Sequence, residues 1–208
     1  MQIHTIDVVF FIVFYLIWNA YKTHSAIGLY LSIFTIFFSN LLIYTSGYGE
    51  LFMIKSVFIS FTALCIFGGI LYDCLETSVN NILTWLIRLN IFILIFSIDI
   101  NWLKVLLFIS AMTVPYIKIK DGKLDLESSL VDKNLWILLS TGVLAIYYNQ
   151  NIYFKNNNSY LMTLMSLFIP CILHFYSNAY FESRAILLCL ALCFDVFNHN
   201  KSIFNIKW

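Results

Sequence analysis

Residues 26–45 read AIGLYLSIFTIFFSNLLIYT, a run of 20 residues without a charged side chain. A helix of about 20 apolar residues matches the thickness of the hydrocarbon core of a bilayer, so this run predicts a transmembrane helix. Similar runs occupy residues 7–21, 51–72, 81–98, 101–117, 134–149, 159–177 and 183–198. Because the last two runs are marginal, the chain predicts an all-α, polytopic transmembrane helix bundle of about six to eight spans.

The composition supports the same class of protein. Of the 208 residues 61% are hydrophobic and 11% are charged, whereas a soluble domain carries about 25% charged residues. A soluble chain of this length could not bury so much apolar surface, so we expect a single integral membrane domain over residues 1–208. Tryptophan favours the headgroup region of a bilayer. Four tryptophans lie near the ends of the runs: Trp18, Trp85, Trp102 and Trp136.

The composition and the motifs exclude several classes of function. A net charge of +1 provides no basic surface for nucleic acid. The five cysteines form no C-x-x-C pair, and neither a phosphate-binding loop nor a hydrolase motif is present, so we predict no metal and no cofactor. No Lys or Arg precedes the first run, which is therefore expected to be a retained helix and not a cleaved signal.

The polar connection at residues 118–133 is expected to lie outside the membrane. It overlaps the sequence IKIKDGKLDL (117–126), in which two alternating strands flank Asp-Gly, a strong signal for a type I′ β-hairpin. Counting outward from the turn gives three pairs: Ile119 with Leu124, Ile117 with Leu126, and Lys118 with Asp125. A lone hairpin is marginally stable in water, so its apolar face is expected to pack on helix ends, on lipid or on a partner.

Lys and Arg are more numerous on one side of the predicted bundle, and such a side tends to be cytoplasmic. With eight spans that side holds Lys22, Lys118, Lys120, Lys123, Lys133 and Arg184, with Arg88 close by. The opposite side holds Lys155, Lys201 and Lys207, with Lys55 and Lys104 near span ends. Residues with AT-rich codons are plentiful, which favours a bacterial inner or plasma membrane or an organellar inner membrane.

A polar stripe in residues 159–177 is the main candidate for chemistry within the membrane. Its members lie three or four residues apart and share one helix face: Thr163, Ser166, Pro170, His174 and Ser177. Pro170 lacks an N–H group, so the carbonyl of Ser166 needs another donor, and the stripe is expected to face protein or a wet cavity. His174 is either a proton carrier, ligand or substrate contact, or part of a helix-packing face.

Four further polar residues are also candidates for a function. Arg88 either snorkels to the interface, pairs with an acid at residues 73–76, or binds a substrate. Glu182 lies in the first turn of a helix, where a negative charge interacts favourably with the helix dipole. Asp195 and His199 are four residues apart and could pair on one helix face, although an end cap explains them equally well.

These features leave three hypotheses for function, with the catalytic residues unknown. The first is a non-catalytic membrane subunit, assembly factor or immunity-type protein that acts through helix packing with other membrane chains or with itself. The second is a small transporter or channel that uses the stripe from Thr163 to His174 together with Arg88 or Glu182. The third is a membrane enzyme with an interfacial site of His174, Glu182, Asp195 and His199.

Overall fold

In the computed structural model, helices follow the predicted runs. The structure describes residues 5–46, 50–72, 77–120, 123–150 and 160–199, which are mostly helical and include one two-stranded antiparallel sheet. The elements in chain order are α1 (Thr5–Thr23), α2 (Ala26–Ser46), α3 (Glu50–Tyr72), α4 (Thr77–Ile95), α5 (Asn101–Met112), β1 (Tyr116–Lys120), β2 (Lys123–Glu127), α6 (Lys133–Gln150), α7 (Tyr160–Ser177) and α8 (Tyr180–His199). The all-α prediction with one hairpin is therefore confirmed.

The length of α5 differs from its prediction. The run 101–117 predicted a helix of transmembrane length, but α5 has 12 residues and ends at Met112. Pro115 explains the early end, since a proline disfavours helical geometry in the residue before it. The chain then enters β1, which begins at Tyr116.

One helix in the described part of the chain, Met53–Tyr72, is long and apolar enough to cross a membrane. Four other helices contain shorter apolar stretches of 10–17 residues within their described parts: Ala26–Phe38, Asn81–Ile95, Asn101–Met112 and Leu164–Ser177. This criterion considers only the length and the composition of a helix, so the core helix of a soluble protein can also meet it. The number of six to eight crossings thus stays a prediction.

Helices α3 to α8 form a closed ring. Each of these helices packs against the next one in the chain, and α8 packs against α3. Helices α1 and α2 lie outside the ring and contact α8, and α2 also packs along α3. Because α8 contacts α1, α2, α3 and α7, the last described helix of the chain lies inside the bundle.

Small residues allow α2, α3 and α8 to approach one another closely. Ser32 and Thr35 on α2 and Ser56 on α3 are fully buried, and each hydroxyl donates to a carbonyl of its own helix at 2.8 Å. Gly28 on α2 lies against the ring of Phe67, and a Cβ atom there would overlap that ring. Such contacts are typical of helix packing in membranes, because small residues at an interface let the two helix backbones approach closely.

The hairpin packs across one end of the ring. Its register pairs Ile119 with Leu124, Ile117 with Leu126 and Lys118 with Asp125, which confirms the predicted pairs. The turn residues 121 and 122, for which a type I′ geometry is predicted, lie outside the described residues. Ile117, Leu124 and Leu126 are buried, as expected for an apolar face that rests on helix ends.

Three helices contact the hairpin at that end. The N–H of Ile117 donates to Thr84 on α4 at 3.2 Å. Lys133 at the start of α6 lies 3.7 Å from the carboxylate of Asp125. Glu182 in the first turn of α8 accepts a hydrogen bond from the N–H of Leu124. The hairpin therefore covers the end where α4, α6 and α8 begin, which we call the hairpin end.

Candidate functional site

An arginine from the next helix donates to the carbonyl group that Pro170 leaves without its helical donor. Pro170 leaves the carbonyl oxygen of Ser166 without its helical donor. Arg184 on α8 supplies one, because its Nη1 donates to that oxygen at 2.9 Å. Ser166 is buried, so this part of the stripe faces protein. The sequence showed that a donor was needed, and the structure identifies Arg184.

His174 also contacts protein. Its ring is 5% exposed, and Nε2 lies 2.8 Å from Oδ1 of Asn134 at the start of α6. An amide oxygen accepts, so this contact places the proton of a neutral ring on Nε2. Nδ1 is buried and has no hydrogen-bond partner among the described residues. The stripe therefore joins α7 to α6 through His174 and to α8 through Ser166. The side chain of Thr163 lies outside the described residues, and Ser177 is exposed.

Arg88 lies on α4 and is half-buried. Its guanidinium group lies over the ring of Trp85, 4.9 Å from the ring centre, which is a cation–π geometry. Its Nε atom is buried without a hydrogen-bond partner in the part of the chain that the structure describes. The predicted acidic partners, Asp73 and Glu76, fall outside that part. The described contact is thus with an aromatic neighbour on the same helix.

The four residues of the proposed interfacial enzyme site do not share one end of the bundle. His174 and Glu182 lie at the hairpin end, at the end of α7 and the start of α8. Asp195 and His199 lie in the last turns of α8, and their side chains are outside the described residues. At 1.5 Å per residue, about 20 Å of helix separates Glu182 from Asp195, which is too far for one catalytic cluster.

A cavity of about 90 Å³ lies between α3, α4, α6 and α8. Its walls are mainly aliphatic and aromatic: Ile59, Ala63, Ile66, Ile87, Ile91, Leu94, Trp136, Leu144, Tyr148, Tyr180, Phe181, Ala185 and Leu188. The polar lining residues are Lys55, Thr62, Asn90, Ser140 and Arg184. We call this space the axial cavity.

The two ends of the axial cavity differ. Trp136, Tyr180 and Phe181 form an aromatic floor at the hairpin end, with ring centres 5.0–6.3 Å apart. The indole N–H of Trp136 donates to the carbonyl of Ser110 at 2.9 Å, which fixes the orientation of the floor. At the opposite end Lys55 lies over the ring of Tyr148, 5.3 Å from its centre. The end of the cavity opposite the hairpin therefore has a cation beside an aromatic ring.

A polar pair lies between these ends. Nδ2 of Asn90 on α4 donates to Oγ1 of Thr62 on α3 at 2.7 Å and to the carbonyl of Leu86 at 3.0 Å. Oδ1 of Asn90 is buried and has no partner among the residues described. Sequence reasoning missed Asn90, although an asparagine inside the apolar run 81–98 was a signal that could have found it. It also treated Lys55 only as a charge near a span end.

No protein-family model, curated protein or solved structure matches this chain. The arrangement of its own side chains is therefore the basis for a functional proposal. Within the described residues, no three His, Cys, Asp or Glu side chains lie close enough together to hold a metal ion. What the site offers is a mainly apolar cavity whose lining includes one lysine, Lys55, and one arginine, Arg184.

Proposed function

We propose that this chain is a multi-pass membrane protein that acts as a non-catalytic subunit or assembly partner of other membrane chains, an immunity-type protein included. The apolar outer surface of its helices supports placement in a bilayer. On α2, four large side chains spaced three or four residues apart are 53–73% exposed: Tyr30, Phe34, Phe37 and Leu41. Such a stripe is unfavourable in water and favourable against lipid or another apolar helix. The same kind of exposed stripe occurs on α1 and α5.

The orientation in the membrane follows from the basic residues. Lys22, Lys118, Lys133 and Arg184 lie at the hairpin end, whereas Lys55 and Lys104 lie near the other end. An excess of Lys and Arg favours the cytoplasmic side or its equivalent. We therefore place the hairpin on that side of a bacterial inner or plasma membrane, or of an organellar inner membrane.

The polar contacts of the candidate residues support a packing role over a catalytic one. Arg184 holds the Ser166 carbonyl, His174 contacts Asn134, and Glu182 anchors the hairpin. Each contact joins two elements of the fold, and a buried polar group that has found such a partner stabilises one arrangement of helices. The observation that carries the proposal is that these polar groups contact other elements of the fold, while the outer surface of the helices is covered by apolar side chains.

Purification in native lipids tests the proposal. A tagged chain extracted with its surrounding lipid is expected to bring a second membrane protein, or a second copy of itself, in fixed stoichiometry. A matched variant, Phe37→Glu, should lose that partner if the exposed stripe of α2 forms the contact. A monodisperse single chain without a partner would contradict the subunit proposal, and recovery of the chain in the soluble fraction would contradict the membrane placement.

The axial cavity favours a second candidate, a small transporter or channel. The route would differ from the one expected from sequence, because neither Pro170 nor His174 lines the cavity. Reconstitution in liposomes distinguishes the two candidates. Solute uptake or conductance that is lost on substitution of Asn90→Leu, but not of the exposed Leu89→Ala, would support transport, and silent liposomes with a retained partner would support the subunit.

A further inference from the structure

We propose that Arg88 and Trp85, on the outer face of α4, bind the phosphate group of a membrane phospholipid. This site presumes the membrane placement proposed above. Three features define it: the depth of the two residues along α4, the exposure of the helix face that carries Trp85, and the contacts of the guanidinium group. A phospholipid and a free phosphate ion share the chemistry that Arg88 would recognise, and the surface around Arg88 favours the phospholipid.

The depth of the two residues follows from the sequence of α4. Its first two turns, Thr77 to Thr84, contain five polar residues, whereas apolar residues predominate from Trp85 onward. Thr84 accepts the N–H of Ile117 in the hairpin, so this level of α4 lies beside the polar connection. Tryptophan favours the level of the headgroups, and Trp85 therefore marks that level. Arg88 lies one turn, about 4.5 Å, deeper, and an arginine side chain can reach the headgroups from there.

The end of α5 indicates the same level. Phe92 on α4 packs edge to face against Phe108 on α5, with ring centres 5.7 Å apart. The two helices run antiparallel, since the hairpin that follows α5 contacts the first half of α4. One turn from Phe92 back to Arg88 therefore corresponds to one turn from Phe108 forward to Met112, where α5 ends. Arg88 lies at the depth where its neighbouring helix stops and the chain turns into the hairpin.

The face of α4 that carries Trp85 is directed outward. Ile82, Trp85 and Leu89 are 40–53% exposed, and their spacing of three and four residues places them on one face of the helix. Leu89 lies deeper than Trp85, so the acyl chains of a lipid whose phosphate is at Arg88 would lie along it. A free phosphate ion would gain nothing from these apolar neighbours. The surface therefore favours a phospholipid as the source of the phosphate.

The guanidinium group of Arg88 needs an acceptor. It lies over the ring of Trp85, 4.9 Å from the ring centre, which directs it toward the hairpin end without satisfying its N–H groups. Among the described residues, its buried Nε has no hydrogen-bond partner and no acid forms an ion pair with it. An arginine stays charged, and its planar fork of N–H groups matches the oxygens of a phosphate. A phosphodiester at the level of the headgroups supplies the missing acceptor.

Lipid binding to the purified full-length chain tests the proposal. The protein, in a neutral detergent, is titrated separately with dioleoylphosphatidylglycerol, with dioleoylglycerol, which has the same acyl chains without a phosphate, and with inorganic phosphate. Native mass spectrometry counts the bound molecules, and only the phospholipid is expected to bind in fixed stoichiometry. Equal binding of dioleoylglycerol would show that the phosphate is not recognised. Displacement of the phospholipid by inorganic phosphate would identify a site for the free ion, and either result would contradict the proposal.

Two variants locate the bound lipid. Arg88→Gln removes the charge and is expected to weaken phosphatidylglycerol binding about tenfold. Arg88→Lys keeps the charge but loses the planar fork, so binding should fall by a smaller factor, and this variant keeps the test open if Arg88→Gln does not fold. Thermal unfolding of each variant shows whether it is folded.

A third variant is the matched control. Lys118→Gln also removes one positive charge, from the hairpin on the same side of the bundle, where Lys118 pairs with Glu127. It should bind phosphatidylglycerol as the parent chain does. If this control loses as much binding as Arg88→Gln, the lipid is attracted by the general charge of the surface and the proposal is wrong.

Separation of membrane and soluble fractions distinguishes the phosphate site from the membrane placement on which it depends. A chain in the membrane fraction that binds phosphatidylglycerol no better than dioleoylglycerol would contradict the phosphate site alone. A chain recovered in the soluble fraction would contradict both.

Discussion

Among the described residues, the hairpin end of the bundle and the end that carries Lys55 differ in the balance of their contacts. At the hairpin end, several hydrogen bonds link residues far apart in sequence, such as the one from Trp136 to the carbonyl of Ser110. At the Lys55 end, aromatic contacts such as Phe10 on Phe194, with ring centres 5.4 Å apart, accompany a hydrogen bond between the hydroxyls of Ser97 and Tyr147. A hydrogen bond restricts its donor and acceptor more narrowly than an aromatic contact restricts two rings. We therefore expect the hairpin end to be the more rigid end.

The largest effect is expected at Arg184. Arg184→Ala removes a charged donor from the buried carbonyl of Ser166, which should cost about 2–3 kcal/mol of unfolding free energy. The midpoint of thermal unfolding in detergent should fall by several degrees.

A second substitution gives the control for that result. Pro170→Ala restores an N–H group that can reach the Ser166 carbonyl within α7. In the Pro170→Ala background the cost of Arg184→Ala should therefore be clearly smaller. Equal losses in both backgrounds would show that Arg184 acts on stability in another way.

The next effect concerns the anchor of the hairpin. Glu182→Ala removes the acceptor for the N–H of Leu124, and a loss of about 1–2 kcal/mol is expected because the site is buried. Glu127→Ala removes a surface partner of Lys118 and should cost less than about 0.5 kcal/mol. Urea or thermal unfolding of both variants provides the comparison, and a larger loss for Glu127→Ala would contradict it.

A smaller loss is expected at the aromatic floor. Trp136→Phe keeps most of the ring but removes the N–H that donates to Ser110, at a cost of about 1 kcal/mol. The matched change Trp102→Phe affects an indole that is 53% exposed and should be close to neutral in detergent. Tryptophan fluorescence during thermal unfolding reports both, and identical midpoints for the two variants would count against a structural role for the indole N–H.

The smallest effect on stability is expected at the opposite end. Lys55→Gln removes cation–π contacts that contribute about 0.5–1 kcal/mol at most, so the unfolding midpoint should shift by only a few degrees. A loss of stability as large as that of Arg184→Ala would mean that the Lys55 end is as rigidly held as the hairpin end.

Local features of the sequence predicted the helices and strands well. Contacts between helices could not be predicted, because they depend on how the helices pack. Alternation around Asp-Gly predicted the pair of Ile117 with Leu126, because the register of a short hairpin depends only on its turn. Hydrophobicity alone extends the run of α5 to residue 117, whereas Pro115 predicts an earlier end of the helix, and α5 ends at Met112. Pro170 indicated that the carbonyl of Ser166 needs another donor, but the identity of Arg184 depends on how α7 and α8 cross.

The axial cavity could not be derived from sequence for the same reason. Its walls come from α3, α4, α6 and α8, and the ring contains other helices between several of these. Only the packing of the whole ring brings Lys55 to the same space as Tyr148. The central position of α8 could not be predicted either, because its run of residues 183–198 is marginal as a membrane span by hydropathy. Glu182 and Arg184 in its first turns instead contact other elements of the bundle.

Labelling of single cysteines tests most directly whether the bundle spans a membrane with its two ends on opposite sides. In a background without the five native cysteines, Asp125→Cys places a thiol on the hairpin and Gln150→Cys places one at the other end. With a membrane-impermeant maleimide, we expect the thiol at position 150 to react in intact cells and the thiol at position 125 to react only after permeabilisation. Equal reaction at both positions in intact cells would contradict a bundle that crosses the membrane.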